Sequence, residues 1–272
     1  MLRHFESIPL PRSSSGCGQL RISDRSNCVR LAPRTSFGQS LLNKKEASEI
    51  MIDIPALIEL SRICYSPSHA EKVAFQYWNT ATDTHGDMSE STFDFFFEKI
   101  RDIMQPGQHD RILDYGCGSG EILRRFVDAG FDAEGCETSP GMVERTRQAG
   151  LRCGSCDEVL RSGRQFAAVF INNAFFYVHP FRWEKVLRAL RQVIAPTGSL
   201  YLFDNPDLAK RHQLGMGRKQ MLLTTLLPVY QPKMAGFFIS ARRLERAARR
   251  AGFESFTIVD SWCNYRTHFV MH

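Results

Sequence analysis

The sequence predicts an α/β fold in which a mostly parallel, doubly wound sheet of seven strands is covered by helices on both faces. Two observations predict it. From residue 112 onwards, short apolar runs alternate with amphipathic helical stretches, which is the pattern of strands joined by crossover helices. One run, FAAVFIN at 166–172, is apolar enough to be buried on both faces, as central parallel strands are. A chain of 272 residues with 43% hydrophobic residues is sufficient for one such domain with extensions.

The first 50 residues differ in composition from the rest of the chain. They are rich in serine, arginine and glycine, show little apolar periodicity, and are predicted to be disordered. Met51 opens a segment that resembles an ordinary protein start, so one hypothesis is that translation begins there, and an organelle transit peptide is the alternative. We expect three regions: an extension at 1–50, a helical region at 51–105, and the main domain at 106–272.

Three helices are expected before the first strand. Ser91 and Asp94 are predicted to form a capping box at the start of the third helix. Pro106 and Gly107 are expected to end that helical region. The three helices are placed near 54–65, 69–80 and 91–104.

After residue 106 the pattern changes to strands alternating with helices. Pro140 suits the first position of a helix capped by Ser139, and Ser240 is expected to cap a helix that ends at Gly252. A long segment at 205–239 interrupts the alternation and is predicted to be an insertion. The strands are expected at 112–115, 132–137, 151–154, 166–172, 199–203, 254–260 and 264–271, with further helices near 120–129, 140–149 and 180–194.

Composition excludes several classes of protein. The chain has no run of 18 uncharged apolar residues, so no membrane span is expected, and the absence of a secretion signal indicates a cytoplasmic protein. The eight cysteines lack the dense, regular spacing of a disulfide-rich secreted domain. Cys153 and Cys156 form a CxxC pair, but no second ligand pair follows, so we interpret the pair as a coincidence and expect no metal site.

The net charge of +6 conceals an asymmetry along the chain. Residues 51–160 carry 10 basic and 19 acidic side chains, whereas residues 161–272 carry 17 basic and 6 acidic ones. This distribution suggests a cationic ligand in the first part and an anionic partner near the second. Solvated helix faces explain part of the basic excess.

A glycine-rich turn carries the main functional signal. The segment DYGCGSG at 114–120 follows the first strand and opens a helix, where glycines let the backbone approach a ligand closely. Its spacing is GxGxG, whereas the dinucleotide fingerprint needs GxGxxG, and position 121 is glutamate. Acidic side chains at Asp114, Glu121 and Glu137 would oppose a pyrophosphate but favour a ligand that carries positive charge. The turn is therefore predicted to bind a cation.

Glu137 is the second candidate binding residue. It lies seventeen residues beyond Gly120, at the carboxyl end of the second strand. A carboxylate in that position can accept hydrogen bonds from both hydroxyls of a ribose. A solvated acid at a strand end is the alternative interpretation.

With these motifs, residues 75–272 resemble the class I family of S-adenosylmethionine-dependent methyltransferases. Four stretches carry the resemblance: ILDYGCGSGEILRRF, AEGCETSPGMVERTR, FAAVFINNAFFYV and LRALRQVIAPTGSLYLF. The resemblance implies that S-adenosylmethionine is the cofactor, that the glycine turn holds its methionine end, that Glu137 binds its ribose, and that residues 155–157 lie near its adenine. The implied cofactor-binding residues are Asp114, Gly116, Cys117, Gly118, Gly120, Glu137, Thr138, Cys156, Asp157 and Asn172.

The catalytic residues are left open by the family pattern. Methyl transfer needs alignment of donor and acceptor above all, and oxygen acceptors can also need a base. Tyr177 and His179 follow the fourth strand at the ligand-binding edge of such sheets and are the candidates, although His179 can equally be a surface residue before a helix. Asn172 to Phe175 lack the prolines of amino-directed methyltransferases, which argues against DNA-adenine or glutamine methylation.

The insertion at 205–239 is predicted to cap an acceptor pocket. It mixes basic side chains with leucines, which suits a small-molecule acceptor that is anionic or amphipathic, but suits a dimer-forming helix equally well. Methylation of an oxygen or nitrogen of a metabolite, sugar or lipid-linked intermediate is the leading hypothesis. An RNA methyltransferase and a non-catalytic cofactor-binding scaffold are the alternatives, and the lack of an RNA-binding module disfavours nucleic acid.

Overall fold

A computed structural model describes residues 54–80 and 88–272. Three helices precede the sheet: α1 (Ile54–Tyr65), α2 (Pro67–Thr80) and α3 (Glu90–Met104). All three were expected within two residues of these bounds. The predicted disorder at 1–50 and the proposed start at Met51 lie outside the described residues, and the division into three regions stays a prediction.

The predicted capping box at the start of α3 is wrong. The residue before the helix is Ser89, and its hydroxyl lies 2.8 Å from Ser91 Oγ and 3.0 Å from Thr92 Oγ1. Ser91 lies inside the helix, and Asp94 instead accepts a hydrogen bond from Arg125 of a later helix. Three hydroxyl residues within the four positions 89–92 make the position of the cap ambiguous from the local pattern alone.

The remaining elements form the predicted α/β sheet. Its strands are β1 (Arg111–Tyr115), β2 (Asp132–Glu137), β3 (Cys153–Ser155), β4 (Phe166–Asn172), β5 (Ile194–Pro206), β8 (Phe256–Asp260) and β9 (Arg266–Met271). They are arranged in the order β3-β2-β1-β4-β5-β9-β8, and the first five are mutually parallel, whereas β9 is antiparallel to both β5 and β8. The helices among them are α4 (Glu121–Asp128), α5 (Pro140–Gln148), α6 (Cys156–Arg161), α7 (Trp183–Val193) and α9 (Ala241–Ala251).

Strand β4 is buried on both faces, as its apolar run predicts. Val169 and Ile171 belong to a core that includes side chains of α6, α7 and α9. Phe170 points to the opposite face, where its ring lies 5.3 Å from that of Phe126 in α4. Alternate side chains of β4 are buried against the helices on the two faces of the sheet, which explains why polar and apolar residues do not alternate along this strand.

Strand β5 begins earlier than the predicted 199–203, because the segment at 194–198 also pairs with β4. Ile194 is the partner of Phe166, and the register then shifts before Ser199 pairs with Ala168. Gly198 permits this contact. A Cβ at that position would lie 2.8 Å from the backbone oxygens of Ala167 and Phe166.

The insertion folds onto the helices that precede the sheet. It contains α8 (Arg218–Leu226) and a small hairpin of β6 (Val229–Gln231) and β7 (Gly236–Phe237). Its apolar side chains share a second core with α1 and α2, formed by Leu60, Ile63, Cys64, Ala70, Leu227, Val229, Ala235 and Phe237. The insertion is therefore a structural partner of the preceding helices as well as a connection.

Among the described helices, none combines the length and the apolar character that a membrane span requires.

Candidate active site

The glycine turn between β1 and α4 adopts a backbone that side chains disfavour. Gly116, Gly118 and Gly120 have φ angles of +79°, +56° and +87°, all in the left-handed region. A Cβ on Gly120 would lie 2.8 Å from Leu151 Cδ1 and 2.9 Å from Thr146 Cγ2. Glycine is thus needed at Gly120 both for its conformation and for its close packing.

Glu137 is held against this turn. Its Oε2 atom accepts a hydrogen bond from the backbone N–H of Gly118 at 3.0 Å. Its Oε1 atom accepts from the backbone N–H of Thr138 at 2.6 Å and from the Thr138 hydroxyl at 3.0 Å. Thr146 Oγ1 donates to the Gly118 carbonyl at 2.9 Å. These bonds orient the carboxylate and fix the turn on the end of β2.

Asp114 is a buried acid beside the turn. It is only 3% exposed, and no described side chain or backbone N–H donates a hydrogen bond to its carboxylate. Burial raises its pKa well above the usual range, and the negative charges of Cys153 and Glu137 raise it further. A cation placed beside Asp114 would offset this penalty, which is what a ligand ammonium group can provide.

Asn172 carries a second acceptor that lacks a partner. Its Oδ1 atom is buried and has no hydrogen-bond partner within the described part of the chain. Asn172 ends β4, two residues beyond Phe170, which pairs with Asp114 of β1. The two strand ends therefore bring an unpaired carboxylate and an unpaired amide oxygen to one edge of the sheet. A ligand with hydrogen-bond donors or positive charge would satisfy both.

The segment predicted to contact adenine forms a helix cap. Ser155 Oγ accepts from the backbone N–H of Glu158 at 3.2 Å, and Glu158 Oε2 accepts from the backbone N–H of Ser155 at 2.9 Å. This capping box was visible as Ser-x-x-Glu but was not predicted. Cys156 directs its thiol into the core, and the carboxylate of Asp157 is exposed and bonded to Arg161. The Ser155 hydroxyl is thus engaged within the cap.

The residues at this edge fit S-adenosylmethionine. The molecule carries an ammonium and a sulfonium but no phosphate, so it complements the unpaired acceptors on Asp114 and Asn172. The glycine turn, which has no side chains at 116, 118 and 120, and the oriented carboxylate of Glu137 complement a polar ligand with hydroxyl groups. A phosphate ligand would instead meet the carboxylates of Asp114 and Glu137 at close range.

Tyr177 lies in a short 3-10 helix, Phe175–Tyr177, directly after β4. Its hydroxyl donates to Gln231 Oε1 at 3.1 Å, or to the Met234 sulfur at 3.3 Å, and both partners belong to the insertion. Its ring meets the ring of Trp78 from α2 edge to face, with 5.3 Å between centroids. Burial raises the pKa of the phenol far above its usual value, so Tyr177 stays protonated at neutral pH.

His179 is buried, with both ring nitrogens engaged. Nε2 lies 3.0 Å from the carbonyl oxygen of Cys64, and Nδ1 accepts from the backbone N–H of Phe181 at 3.1 Å. Burial lowers its pKa, which keeps the ring neutral with the proton on Nε2. The ring therefore has no free nitrogen with which to accept a proton from a substrate. The catalytic role suggested for it stays a prediction that this geometry disfavours.

A buried arginine organises the opposite side of the site and was missed by the sequence analysis. Arg266, at the start of β9, donates to Asn173 Oδ1 at 2.6 Å and to Asp204 Oδ2 at 3.1 Å. Asn173 directly follows β4, and Asp204 lies within β5, two residues before its end. Their φ angles are +54° and +57°, a conformation that is uncommon for residues other than glycine. The guanidinium is packed by three aromatic rings, with centroids 5.2–5.7 Å away: Phe176, Tyr230 and Tyr265.

Only a weak signal in the sequence could have located this cluster. Polar residues at 172–173 and 204–205 interrupt two apolar strands at the same edge of the sheet. Arg266 itself begins a strand far along the chain, and the antiparallel pairing of Pro206 with Arg266 brings it there. The cluster joins the ends of β4 and β5 to Tyr230 of the insertion.

Parallel strands in this order, an antiparallel end and a glycine turn suited to a cation together define the class I, Rossmann-like methyltransferases. The chain belongs to a family of such enzymes: a family model described as a methyltransferase domain matches residues 87–257. The chain thus contains a domain of the S-adenosylmethionine-dependent methyltransferase family, whose methyl donor is S-adenosylmethionine.

Curated relatives support the family without giving an acceptor. The chain is 28% identical over 108 residues to an uncharacterized methyltransferase of Mycobacterium bovis, and equally to one of Mycobacterium tuberculosis. Each match covers 38% of this chain and 43% of the relative. The chain therefore matches less than half of the length of these proteins.

Solved structures show the same fold at low sequence identity. A Leishmania major S-adenosylmethionine-dependent methyltransferase aligns with a TM-score of 0.56 at 16% identity, over 76% of this chain and 85% of that one. A Pyrococcus horikoshii protein aligns with a TM-score of 0.55 at 18% identity, over 72% and 98%. The complex of the protein DhpI with SAH aligns with a TM-score of 0.52 at 17% identity, over 74% and 95%.

Proposed function

We propose that this methyltransferase transfers a methyl group to an oxygen or nitrogen of a small molecule that binds between the end of β4, α2 and the insertion. The observation that carries the proposal is the position of Tyr177. It follows β4 directly, its ring contacts Trp78 of α2, and its hydroxyl bonds to Gln231 of the insertion. Three separate elements thus enclose the region next to the proposed cofactor site.

The acceptor is proposed to have an apolar or aromatic body and neutral polar groups. Aromatic rings and an amide line this region, whereas two of the basic side chains that suggested an anionic acceptor are engaged elsewhere. Lys210 Nζ donates to Asp260 at 3.0 Å and to the carbonyl of Arg266 at 3.2 Å. Arg211 donates to Thr225 Oγ1 at 2.9 Å. These bonds favour an amphipathic acceptor over one with a strong negative charge.

The cofactor is proposed to be held by residues of the first four strands and the turns after them. Asp114 and Asn172 face the charged groups of the methionine end, while the glycine turn provides close backbone contact and Glu137 accepts from the ribose hydroxyls. The remaining contacts are assigned to the backbone or exposed groups of Cys117, Thr138, Cys156 and Asp157.

The protein's contribution to the reaction is chiefly alignment. S-adenosylmethionine supplies an electrophilic methyl group on a sulfonium sulfur. Fixing donor and acceptor in line can lower the barrier by about 7–11 kcal/mol. Because the Tyr177 hydroxyl donates its proton to Gln231, its oxygen can accept a hydrogen bond from the O–H or N–H group of the molecule to be methylated. This hydrogen bond would orient the lone pair of the reacting oxygen or nitrogen towards the methyl carbon. Tyr177 is therefore a positioning group, because its raised pKa keeps the phenol protonated and leaves no phenolate to take a proton from the acceptor.

Removal of the Tyr177 hydroxyl tests this proposal. Tyr177→Phe is expected to slow methyl transfer about tenfold, the scale of one lost hydrogen bond, while leaving cofactor affinity unchanged. The assay follows transfer of a labelled methyl group into metabolite-extract fractions, followed by kinetics on the acceptor found. Tyr201→Phe is the matched control, because Tyr201 lies in β5 and its hydroxyl bonds to the Met104 carbonyl at the end of α3.

Two outcomes would contradict the proposal. Equal rates for the wild type and Tyr177→Phe would place the acceptor elsewhere. Labelling of RNA in place of small molecules would favour the alternative acceptor class, and that activity should weaken steeply with added salt.

A further inference from the structure

Two free thiols face each other beside the glycine turn. Cys117 lies in the turn and Cys153 begins β3, and their sulfur atoms are 3.7 Å apart. Gly135 of β2 pairs with Cys153 across the sheet, and a Cβ on Gly135 would lie 2.7 Å from the Cys117 sulfur. The missing side chain at Gly135 therefore provides the space through which Cys117 reaches Cys153.

Cys153 can be reached from solvent, whereas Cys117 cannot. β3 is the edge strand of the sheet, and half-buried Cys153 lines an open pocket of about 390 Å³ at that edge. Cys117 is 6% exposed. The charged side chains around the pocket are Glu134, Arg147, Arg152, Glu158 and Arg164. A small oxidant would thus meet the Cys153 sulfur first.

The two thiols also differ in acidity. The hydrogen bond from Cys117 lowers the pKa of Cys153, and the positive charge of Arg147 acts in the same direction against the opposing effects of burial and of Glu137 and Glu134. The same hydrogen bond and burial raise the pKa of Cys117. Cys153 is therefore the more nucleophilic partner, and Cys117 keeps its proton until a bond forms.

A second pair of thiols provides a comparison. The sulfur atoms of Cys136 and Cys156 are only 3.2 Å apart, on the side of β2 and β3 that faces the main core. They are 0% and 5% exposed, and burial raises the pKa of Cys136. The two sulfur atoms are thus close together in both pairs, and only in the pair that contains Cys153 can an oxidant reach one of them from solvent.

We propose that Cys153 is an oxidative modification site, and that a hydroperoxide converts Cys153 and Cys117 into a disulfide that weakens cofactor binding. Cys153 loses its proton, and its thiolate attacks one peroxide oxygen to form a sulfenic acid as the O–O bond breaks; the leaving alkoxide or hydroxide takes up that proton and departs as an alcohol or water. The Cys117 sulfur then attacks the sulfenic sulfur, the S–O bond breaks, and the hydroxyl group leaves as water with the proton of Cys117. Two thiols are oxidised by two electrons, and one peroxide is reduced.

The expected effect on the cofactor follows from where Cys117 lies, and it rests on the proposed cofactor site. A disulfide bond is about 2.05 Å long, so the sulfur atoms must approach each other by roughly 1.7 Å. Cys117 is flanked by Gly116 and Gly118, and its backbone N–H donates to the Cys136 carbonyl at 3.1 Å. Drawing Cys117 towards β3 therefore displaces the turn that is proposed to hold the methionine end.

The experiment treats the reduced full-length protein with hydrogen peroxide, blocks the remaining thiols and maps linked peptides by mass spectrometry. Calorimetry then measures affinity for S-adenosylhomocysteine before oxidation, after oxidation, and after reduction with dithiothreitol. We expect a peptide that links residues 117 and 153, a loss of affinity of tenfold or more, and recovery after reduction. Cys153→Ser is expected to keep its affinity in peroxide, and Cys64→Ser, which alters a buried thiol in α1, is expected to respond like the wild type.

Three other outcomes would contradict the inference, and each identifies a different step that is wrong. Absence of the 117–153 link in oxidised protein would show that the pair does not react. A link that leaves affinity unchanged would show that the disulfide does not act on the turn. If the reduced protein fails to bind S-adenosylhomocysteine, the proposed cofactor site is wrong, and the effect on binding falls with it even where the link is found.

Discussion

Gly118→Val is expected to abolish binding of S-adenosylmethionine, with a loss of at least 100-fold in affinity. Gly118 has φ +56°, and its N–H is the donor to Glu137. Valine in this conformation costs about 1–2 kcal/mol or more, so the turn should shift towards a more extended backbone. That shift would break the bond to Glu137 and place a branched side chain where the cofactor is proposed to approach. Calorimetry on the folded variant measures the effect.

A matched glycine separates backbone strain from ligand contact. Gly163 also has a positive φ, +69°, and a Cβ there would have no atom within 4 Å. Gly163→Val should therefore lower the melting temperature by strain but keep cofactor affinity. If Gly118→Val folds and binds as well as the wild type, the placement of the cofactor on this turn is wrong.

Glu137→Ala is expected to weaken cofactor binding by about 1.5–3 kcal/mol, the scale of hydrogen bonds to a charged group. This corresponds to a loss of roughly 10- to 150-fold in affinity. The variant removes the proposed acceptor for the ribose hydroxyls and also releases the Gly118 N–H, so the upper part of the range is expected. Calorimetric titration with S-adenosylhomocysteine measures the change.

A double-mutant cycle distinguishes the two contributions of Glu137. A deoxyribose analogue of the ligand should bind the wild type more weakly than the natural ligand, yet bind Glu137→Ala with nearly the same affinity as the natural ligand. Glu144→Ala, which removes an exposed acid on α5 that bonds to Gln148, is the control and should not change binding. Equal sensitivity to the missing hydroxyl in the wild type and Glu137→Ala would remove Glu137 from the ribose site.

Local patterns predicted much of the fold. The bounds of β2 and β4 are those expected. β4 is an apolar run with polar residues at its ends, and β2 lies between the glycine that follows α4 and the Ser-Pro start of α5. The glycine turn was also visible, since positive φ angles require glycine at spacings that do not depend on distant parts of the chain. These features are encoded within a few residues of where they occur.

Features that depend on distant contacts were not predictable in the same way. The hairpin of β6 and β7 has strands of three and two residues, too short to show a period, and it is stabilised by a core shared with α1 and α2. The same core explains the burial of His179, whose ring bonds to Cys64 at the end of α1. A histidine before a helix shows no sign of that partner in the sequence.

The site shows the same division between local and distant signals. Asp114 and Glu137 could be proposed as binding residues from the strand ends they occupy. The cluster around Arg266 needs β9 to return antiparallel beside β5, so that residues 173, 204 and 266 meet. No local motif connects these three positions, and only the tertiary structure brings them together.

The glycine turn and its unpaired acceptors are proposed to form a site for a cationic nucleoside cofactor. Calorimetric titration of the reduced, purified protein with S-adenosylmethionine, and separately with NAD, tests it most directly. We expect micromolar binding of S-adenosylmethionine and no detectable binding of NAD, because the buried Asp114 and the nearby Glu137 favour an ammonium and repel a pyrophosphate. Binding of NAD with comparable affinity, or failure of S-adenosylmethionine to bind, would contradict it.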